Sequence, residues 1–236
     1  MELFPPGQEV QSFVQQPHGS FIEGASVLAG EPHQVLDPST GQAIAQVHFA
    51  GDSTVEQAVL SADKALRDGR WSALRPAERE RILLDFATLV SRHAETLAQL
   101  ETLNQGKSIH VARLLDVGGC VEFMRYMAGW ATKIEGRTMD VSIALPPGAR
   151  FTACTRREPV GVVAGIVPWN FPLMIGAWKI APALAMGNSI VLKPAETASL
   201  TLLRLAELAL EAGVPPGVFN VTTGPGRTDT ISPFTP

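Results

Sequence analysis

The stretch Pro159-Val160-Gly161-Val162-Val163-Ala164-Gly165-Ile166-Val167-Pro168-Trp169-Asn170-Phe171-Pro172 decides the fold. From residue 159 to residue 192 the chain carries a single charge, Lys179. That run has the length of a membrane span, but Pro168 and Pro172 would break a helix midway and Asn170 would be costly in lipid. A soluble interior is the better reading. Residues 160–167 read as a buried β-strand, and Pro168 stops it because proline has no N–H to give the ladder. Residues 171–186 read as an apolar helix that Gly187-Asn188 ends, and 189–192 as a second strand. Asn170 and Lys193 then both fall just past the carboxyl ends of strands, where open α/β sheets bind ligands.

Further along, residues 200–212 predict a helix stopped by Gly213 and Pro215, and 218–222 a third strand. This βαβαβ order implies parallel strands with right-handed crossovers, half of a doubly wound nucleotide-binding sheet in three layers. In the other direction, 137–157 reads as a projecting hairpin, with arms 138–143 and 150–156 around the turn Leu145-Pro146-Pro147-Gly148. Helices precede it. One has Ser53 and Glu56 at capping-box spacing; the next opens at Pro76 and carries the stripe Ile82, Leu83, Phe86, Leu89 and Val90. A third runs over 94–104 to a stop at Gly106, and a longer one over 107–131 is weakened at Gly118-Gly119. Residues 21–49 suggest an antiparallel hairpin turning at Asp37-Pro38-Ser39-Thr40-Gly41, and residues 1–20 a loose arm rich in proline and glutamine. The expected units are therefore 1–20, 21–136, 137–157, 158–226 and a tail at 227–236.

The chain has 236 residues, 45% of them apolar, and a formal charge of -4. That balance describes an ordinary globule without a basic stripe for nucleic acid. The first residues lack the cationic start and apolar run of a secretory signal, so a cytoplasmic location is expected. Cys120 and Cys154 lie far apart and show no metal-ligand spacing, so no disulfide framework or metal site is expected. Both read as packed hydrophobes.

Taken together, Pro159-Val160-Gly161-Val162-Val163, Pro168-Trp169-Asn170-Phe171-Pro172, Ala177-Trp178-Lys179, Ala181-Pro182-Ala183-Leu184-Ala185, Gly187-Asn188 and Val191-Leu192-Lys193-Pro194-Ala195-Glu196 resemble the aldehyde dehydrogenase superfamily. The likeness continues from Glu211 to Val221 and reaches back to about Phe21. The stretches 101–109, 145–150 and 158–176 are most similar to its phenylacetaldehyde dehydrogenase branch. The resemblance implies NAD-dependent oxidation of an aldehyde to an acid, through attack by a cysteine thiolate, loss of hydride to NAD, and hydrolysis by a glutamate-activated water. Asn170 matches the oxyanion donor. Lys193 and Glu196 match the pair that holds the adenosine ribose, and a carboxylate there repels a 2′-phosphate, favouring NAD over NADP. Ile166, Val167, Pro168 and Trp169 match positions along the cofactor, and Gly226 one where adenosine nears the backbone. Each has a plainer alternative: Asn170 holding a turn between prolines, Lys193 and Glu196 as a solvated pair, the four neighbours as core, Gly226 as a turn. The resemblance also implies that the projecting hairpin is an oligomerisation arm of a homo-oligomer.

Beyond Gly226 the likeness stops. The superfamily continues with a Phe-Thr-Gly-Ser strand-turn, a Glu-Leu-Gly-Gly segment with the general base, and the nucleophilic cysteine, none of which occurs here. Neither Cys120 nor Cys154 matches the nucleophile. The expectation is an N-terminal fragment inactive alone, with strand 218–222 left as an open apolar edge. The alternative is a non-catalytic fragment retaining at most cofactor or subunit binding. An unrelated doubly wound reductase fits less well, because the Gly-rich turn such proteins use is missing.

Overall fold

The computed structural model describes residues 6–144 and 146–225. Gly226 and the expected tail at 227–236 lie outside the described residues. The chain begins with helix α1 (Gln8–Val14) and strands β1 (Pro17–His18), β2 (Ser20–Ile22), β3 (Ala25–Val27), β4 (Pro32–Leu36) and β5 (Ala43–His48). Helices α2 (Asp52–Arg67), α3 (Pro76–Arg92), α4 (Ala94–Gln105) and the short α5 (Ile109–Val111) follow, then a π-helical turn (Ala112–Val117) and α6 (Gly118–Trp130). Next come the hairpin strands β6 (Thr138–Val141) and β7 (Phe151–Cys154), then β8 (Val162–Ile166), α7 (Pro172–Ala185), β9 (Ser189–Lys193), α8 (Leu200–Glu211) and β10 (Phe219–Val221).

The central sheet has the order β3-β2-β10-β9-β8. Its last three strands are parallel, with Gly165 opposite Leu192 and Val191 opposite Asn220. Side chains alternate across the sheet. Val191 and Ile22 pack with Ala58 and Ala62 of α2, whereas Ile190, Leu192 and Val221 join the main core with Leu173 and Ile180 of α7 and Leu205 of α8. The result is the expected three-layer α/β arrangement around parallel strands.

Local chemistry sets the element ends. Pro172 starts α7 at a position that needs no N–H. Gly187, at φ +83°, closes it: its N–H donates to Leu184 O at 2.9 Å and the Asn188 N–H to Ala183 O at 3.0 Å. Gly213, at φ +97°, ends α8 in the same way. Where α7 and α8 meet, a Cβ on Gly176 would lie 2.5 Å from Leu202 Cδ2, so any larger residue would push the buried Leu202 side chain aside. The indole N–H of fully buried Trp71 donates to Leu184 O at 2.9 Å and ties the α2–α3 connection to the end of α7.

Several expectations need correction. Residues 8–14 are helical rather than loose, because Val10 and Phe13 are buried and Glu9 accepts hydrogen bonds from Thr96 Oγ1 at 2.7 Å and Arg204 Nη2 at 3.0 Å. Residues 21–49 form two hairpins in different sheets: β2 and β3 extend the central sheet, while β4 pairs with β5, and β5 in turn with β1. The N-cap expected at Ser53 lies two residues earlier, at Gly51, with no side-chain cap. Strand β10 is not an open edge, since β2 pairs with it antiparallel, Phe21 against Val221. Among the described residues the unpaired outer edge of the parallel strands is β8 instead, where Ala164 and Ile166 are exposed. No helix among the described residues is long and apolar enough to cross a membrane.

Candidate active site

The carboxyl ends of β8 and β9 form the floor of a cleft of about 1190 Å³. Ile166, Val167 and Trp169 come from the end of β8, and Lys193 to Thr197 from the end of β9. The Val167 N–H donates to Lys193 O at 2.9 Å and holds the two ends together. Gly30, Glu31 and His33 form one wall, Phe49, Ala50 and Gly51 another, and Pro225 completes the lining. Thr223 fixes these walls relative to the floor. Its hydroxyl donates to His48 O at 2.6 Å, and its carbonyl accepts the Ala50 N–H at 2.7 Å. His33 stacks on Phe49 with ring centroids 3.9 Å apart.

Of the residues singled out in the sequence, Ile166, Val167, Trp169, Lys193 and Glu196 meet in this cleft. Pro168 and Asn170 are exposed on the turn between β8 and α7 and do not line it. Lys193 is 5% exposed, and its ammonium donates to Pro194 O at 2.9 Å. Burial lowers its pKa, against a smaller upward pull from Glu196. An ammonium that keeps donor capacity, beside an exposed carboxylate, suits a vicinal diol, which both accepts and donates.

A second group of polar residues lies beneath the same turn, and no spacing rule singled it out. Glu101 of α4 is fully buried; its carboxyl accepts the Leu173 N–H of α7 and the Thr201 hydroxyl of α8, each at 3.0 Å. Burial pushes its pKa up to about 8, helped by neighbouring Asp116. Asp116 is also fully buried and accepts from Lys107 Nζ at 2.6 Å. The Lys107 ammonium lies 3.5 Å from the Phe171 ring centroid. Asn104, one turn along α4, donates to Thr197 O at 2.8 Å and accepts the Leu200 N–H at 3.0 Å, which anchors the loop carrying Glu196. The available signal was periodicity: Glu101 and Asn104 share the buried helical face of Leu97 and Leu100, positions that normally take apolar residues.

The two cysteines have different surroundings. Cys120 is fully buried beside Met124 Sδ at 3.6 Å, and burial with the nearby carboxyls raises its thiol pKa, which suppresses the thiolate. Cys154 is exposed in β7 of the projecting hairpin. Among the described residues no cluster of His, Cys, Asp or Glu could hold a metal ion.

The profile of the aldehyde dehydrogenase family matches residues 26–231. The chain belongs to the aldehyde dehydrogenase family. It is 50% identical over 214 residues to a phenylacetaldehyde dehydrogenase from Pseudomonas fluorescens, covering 90% of this chain and 43% of that protein. An aldehyde dehydrogenase from Bacillus cereus, solved as its NAD+ complex, superimposes with a TM-score of 0.91 at 40% identity over 97% of this chain and 46% of that one. A mutant of the P. syringae indole-3-acetaldehyde dehydrogenase AldA, in complex with NAD+ and IAA, matches at a TM-score of 0.84 and 40% identity over 93% of this chain and 43% of its own. The aldehyde dehydrogenase chain described here therefore spans less than half the length of these relatives.

Proposed function

We propose that this chain carries the NAD-binding platform and oxyanion donor of an enzyme that oxidises an arylacetaldehyde, such as phenylacetaldehyde, to its acid. The observation that carries the reading is the convergence of Lys193, Glu196, Val167 and Trp169 in one cleft at the carboxyl end of parallel strands, with Asn170 on the adjoining turn. NAD would supply the hydride acceptor. Lys193 would donate to the ribose hydroxyls and Glu196 accept from them, with Glu196 also disfavouring a 2′-phosphate. Ile166, Val167 and Trp169 would offer apolar contact, and Pro168 would hold the turn that aims the Asn170 amide at a developing oxyanion. The aryl substrate class rests on the similarity to the phenylacetaldehyde and indole-3-acetaldehyde enzymes.

Neither described cysteine suits the nucleophile, since one is sealed in the core and the other sits on the hairpin. The chain alone is therefore expected to leave phenylacetaldehyde unoxidised. We further infer that the exposed hairpin of β6 and β7 is a surface for a partner subunit and that the enzyme is cytoplasmic. Calorimetric titration of NAD against NADP, beside an assay for reduced cofactor with phenylacetaldehyde, tests the reading. Binding of NADP in preference to NAD, or no difference between wild type and Glu196→Gln, would sink it.

A further inference from the structure

Buried beneath the Asn170 turn, two carboxyls and one ammonium meet. Glu101 comes from α4, Asp116 from the π-helical turn, and Lys107 from the segment between α4 and α5; the three side chains are buried or nearly so. With every group ionised, the cluster would bury one uncompensated negative charge, which is expensive away from water. Asp116 Oδ2 is buried and lacks a hydrogen-bond partner, so an acceptor faces inward with no donor. Of the neighbouring donors, the Cys120 thiol is directed at Met124 Sδ, which leaves the Glu101 carboxyl, able to donate when it keeps its proton. One proton held between the two carboxyls therefore neutralises the cluster and satisfies the orphaned oxygen together.

We propose that Glu101, Lys107 and Asp116 are positioning residues that share this proton and, by gripping the Leu173 N–H and the Phe171 ring on the two sides of Pro172, set where the Asn170 amide points. This rests on the reading of Asn170 as the oxyanion donor. Proline at the first position of α7 leaves the Leu173 N–H as the first backbone donor of the helix, and Glu101 caps it from another helix. Lys107 reaches across from Asp116 to the face of Phe171, the residue after Asn170. The pair thus controls the turn at its exit into the helix. The upward pull of burial on both carboxyls agrees with a retained proton, and two interacting carboxyls titrate in two steps that belong to the pair, the upper one releasing the shared proton. The groups facing them are the Lys107 ammonium, the Thr201 hydroxyl of α8, the Cys120 thiol of α6 and the amino end of α7.

The test is amide NMR of the full 236-residue chain across pH, following the Leu173 backbone N–H and the Asn170 side-chain amide. Both signals are expected to move together with one midpoint in the wild type. Glu101→Gln should abolish that movement, Lys107→Met should shift its midpoint to higher pH because the stabilising positive charge is gone, and Cys120→Ala should leave it unchanged. A purely structural carboxylate would give none of these midpoint changes. Asn170 signals that ignore pH in the folded wild type, or a midpoint that persists in folded Glu101→Gln, overturn the proposal. If the variants do not fold, carboxyl carbon shifts of the wild type decide: one protonated carboxyl at neutral pH supports the shared proton, and two ionised carboxyls refute it. A chain that shows the titration but takes no NAD keeps the positioning role and defeats the cofactor reading; NAD binding with a pH-blind Asn170 does the reverse.

Discussion

Lys193→Met should separate stability from binding. In the folded chain the Lys193 side chain is 5% exposed and its ammonium donates to Pro194 O. Its lowered pKa means that desolvation outweighs what Pro194 and Glu196 return. Methionine keeps an unbranched chain of similar length and buries an apolar end in place of the charge, a gain of about 1 kcal/mol. In a domain of this size that raises Tm by about 2–4 °C. The pH dependence follows from the direction of the shift: the folded chain gives up this proton at lower pH than the unfolded chain. The wild-type penalty is therefore full below the folded pKa and is relieved as pH climbs toward the ordinary value of 10.5. The Tm advantage of the variant should shrink over that window. For NAD the direction reverses on the proposed reading, in which the ammonium donates to the ribose: losing those hydrogen bonds would cost about 1.5–3 kcal/mol, or about 10- to 150-fold in Kd. Thermal melts across pH and calorimetric NAD titrations read both effects. A variant that melts below the wild type at neutral pH, or that binds NAD as tightly, refutes the reasoning.

Three further outcomes are expected. Gly176→Ala gains about 1 kcal/mol of helix propensity but forces its Cβ against buried Leu202, an overpacking cost of about 1–3 kcal/mol; urea unfolding should show a net loss, and a gain would mean that α7 and α8 part easily. Ala164→Lys on the exposed β8 edge should reduce self-association and hydrophobic-dye binding, read by light scattering and fluorescence; unchanged association would place the sticky surface elsewhere. Because Glu101 holds its proton up to about 8 when folded but only to about 4.5 when unfolded, stability should fall as pH rises across that window, by at most about 1.4 kcal/mol per pH unit. Glu101→Gln should flatten that slope, and an equal slope in the variant would assign it to another group.

The parallel strands and their crossovers were legible because local residues enforce them: Pro168 stops β8, Gly187 closes α7, and Gly213 closes α8. What the sequence hid was non-local. Helix α1 is only seven residues long and has little helical tendency alone; it persists because Val10 and Phe13 find a core and Glu9 finds Thr96 and Arg204. Covering of β10 could not be read from residues 218–222, since the strand that covers it, β2, lies near the other end of the chain. Five of the residues singled out for the site converge in the cleft because they sit at strand ends that the parallel register aligns. Glu101 and Asp116 escaped because a carboxyl on a helix normally signals solvent, and the helical phase that puts Glu101 on a buried face does not say that α7 and α8 will close over it.

The free edge and the cleft meet at one residue. Ile166 ends β8, is 57% exposed, and lines the cleft beside Val167, whose N–H is bonded to Lys193 O. A segment pairing with β8 would bury Ile166 and press on Trp169, itself 60% exposed, immediately before Asn170. Edge pairing would therefore act on the turn from its entrance, while Glu101 and Lys107 act on it from its exit into α7. The two controls differ in kind: an added strand restrains the turn through backbone hydrogen bonds and apolar contact, insensitive to pH, whereas the buried carboxyls answer to proton activity. Blocking the edge with Ala164→Lys should accordingly leave the pH response of Asn170 intact, because residue 164 lies within β8 on the entrance side of the turn and the proton sits at its exit.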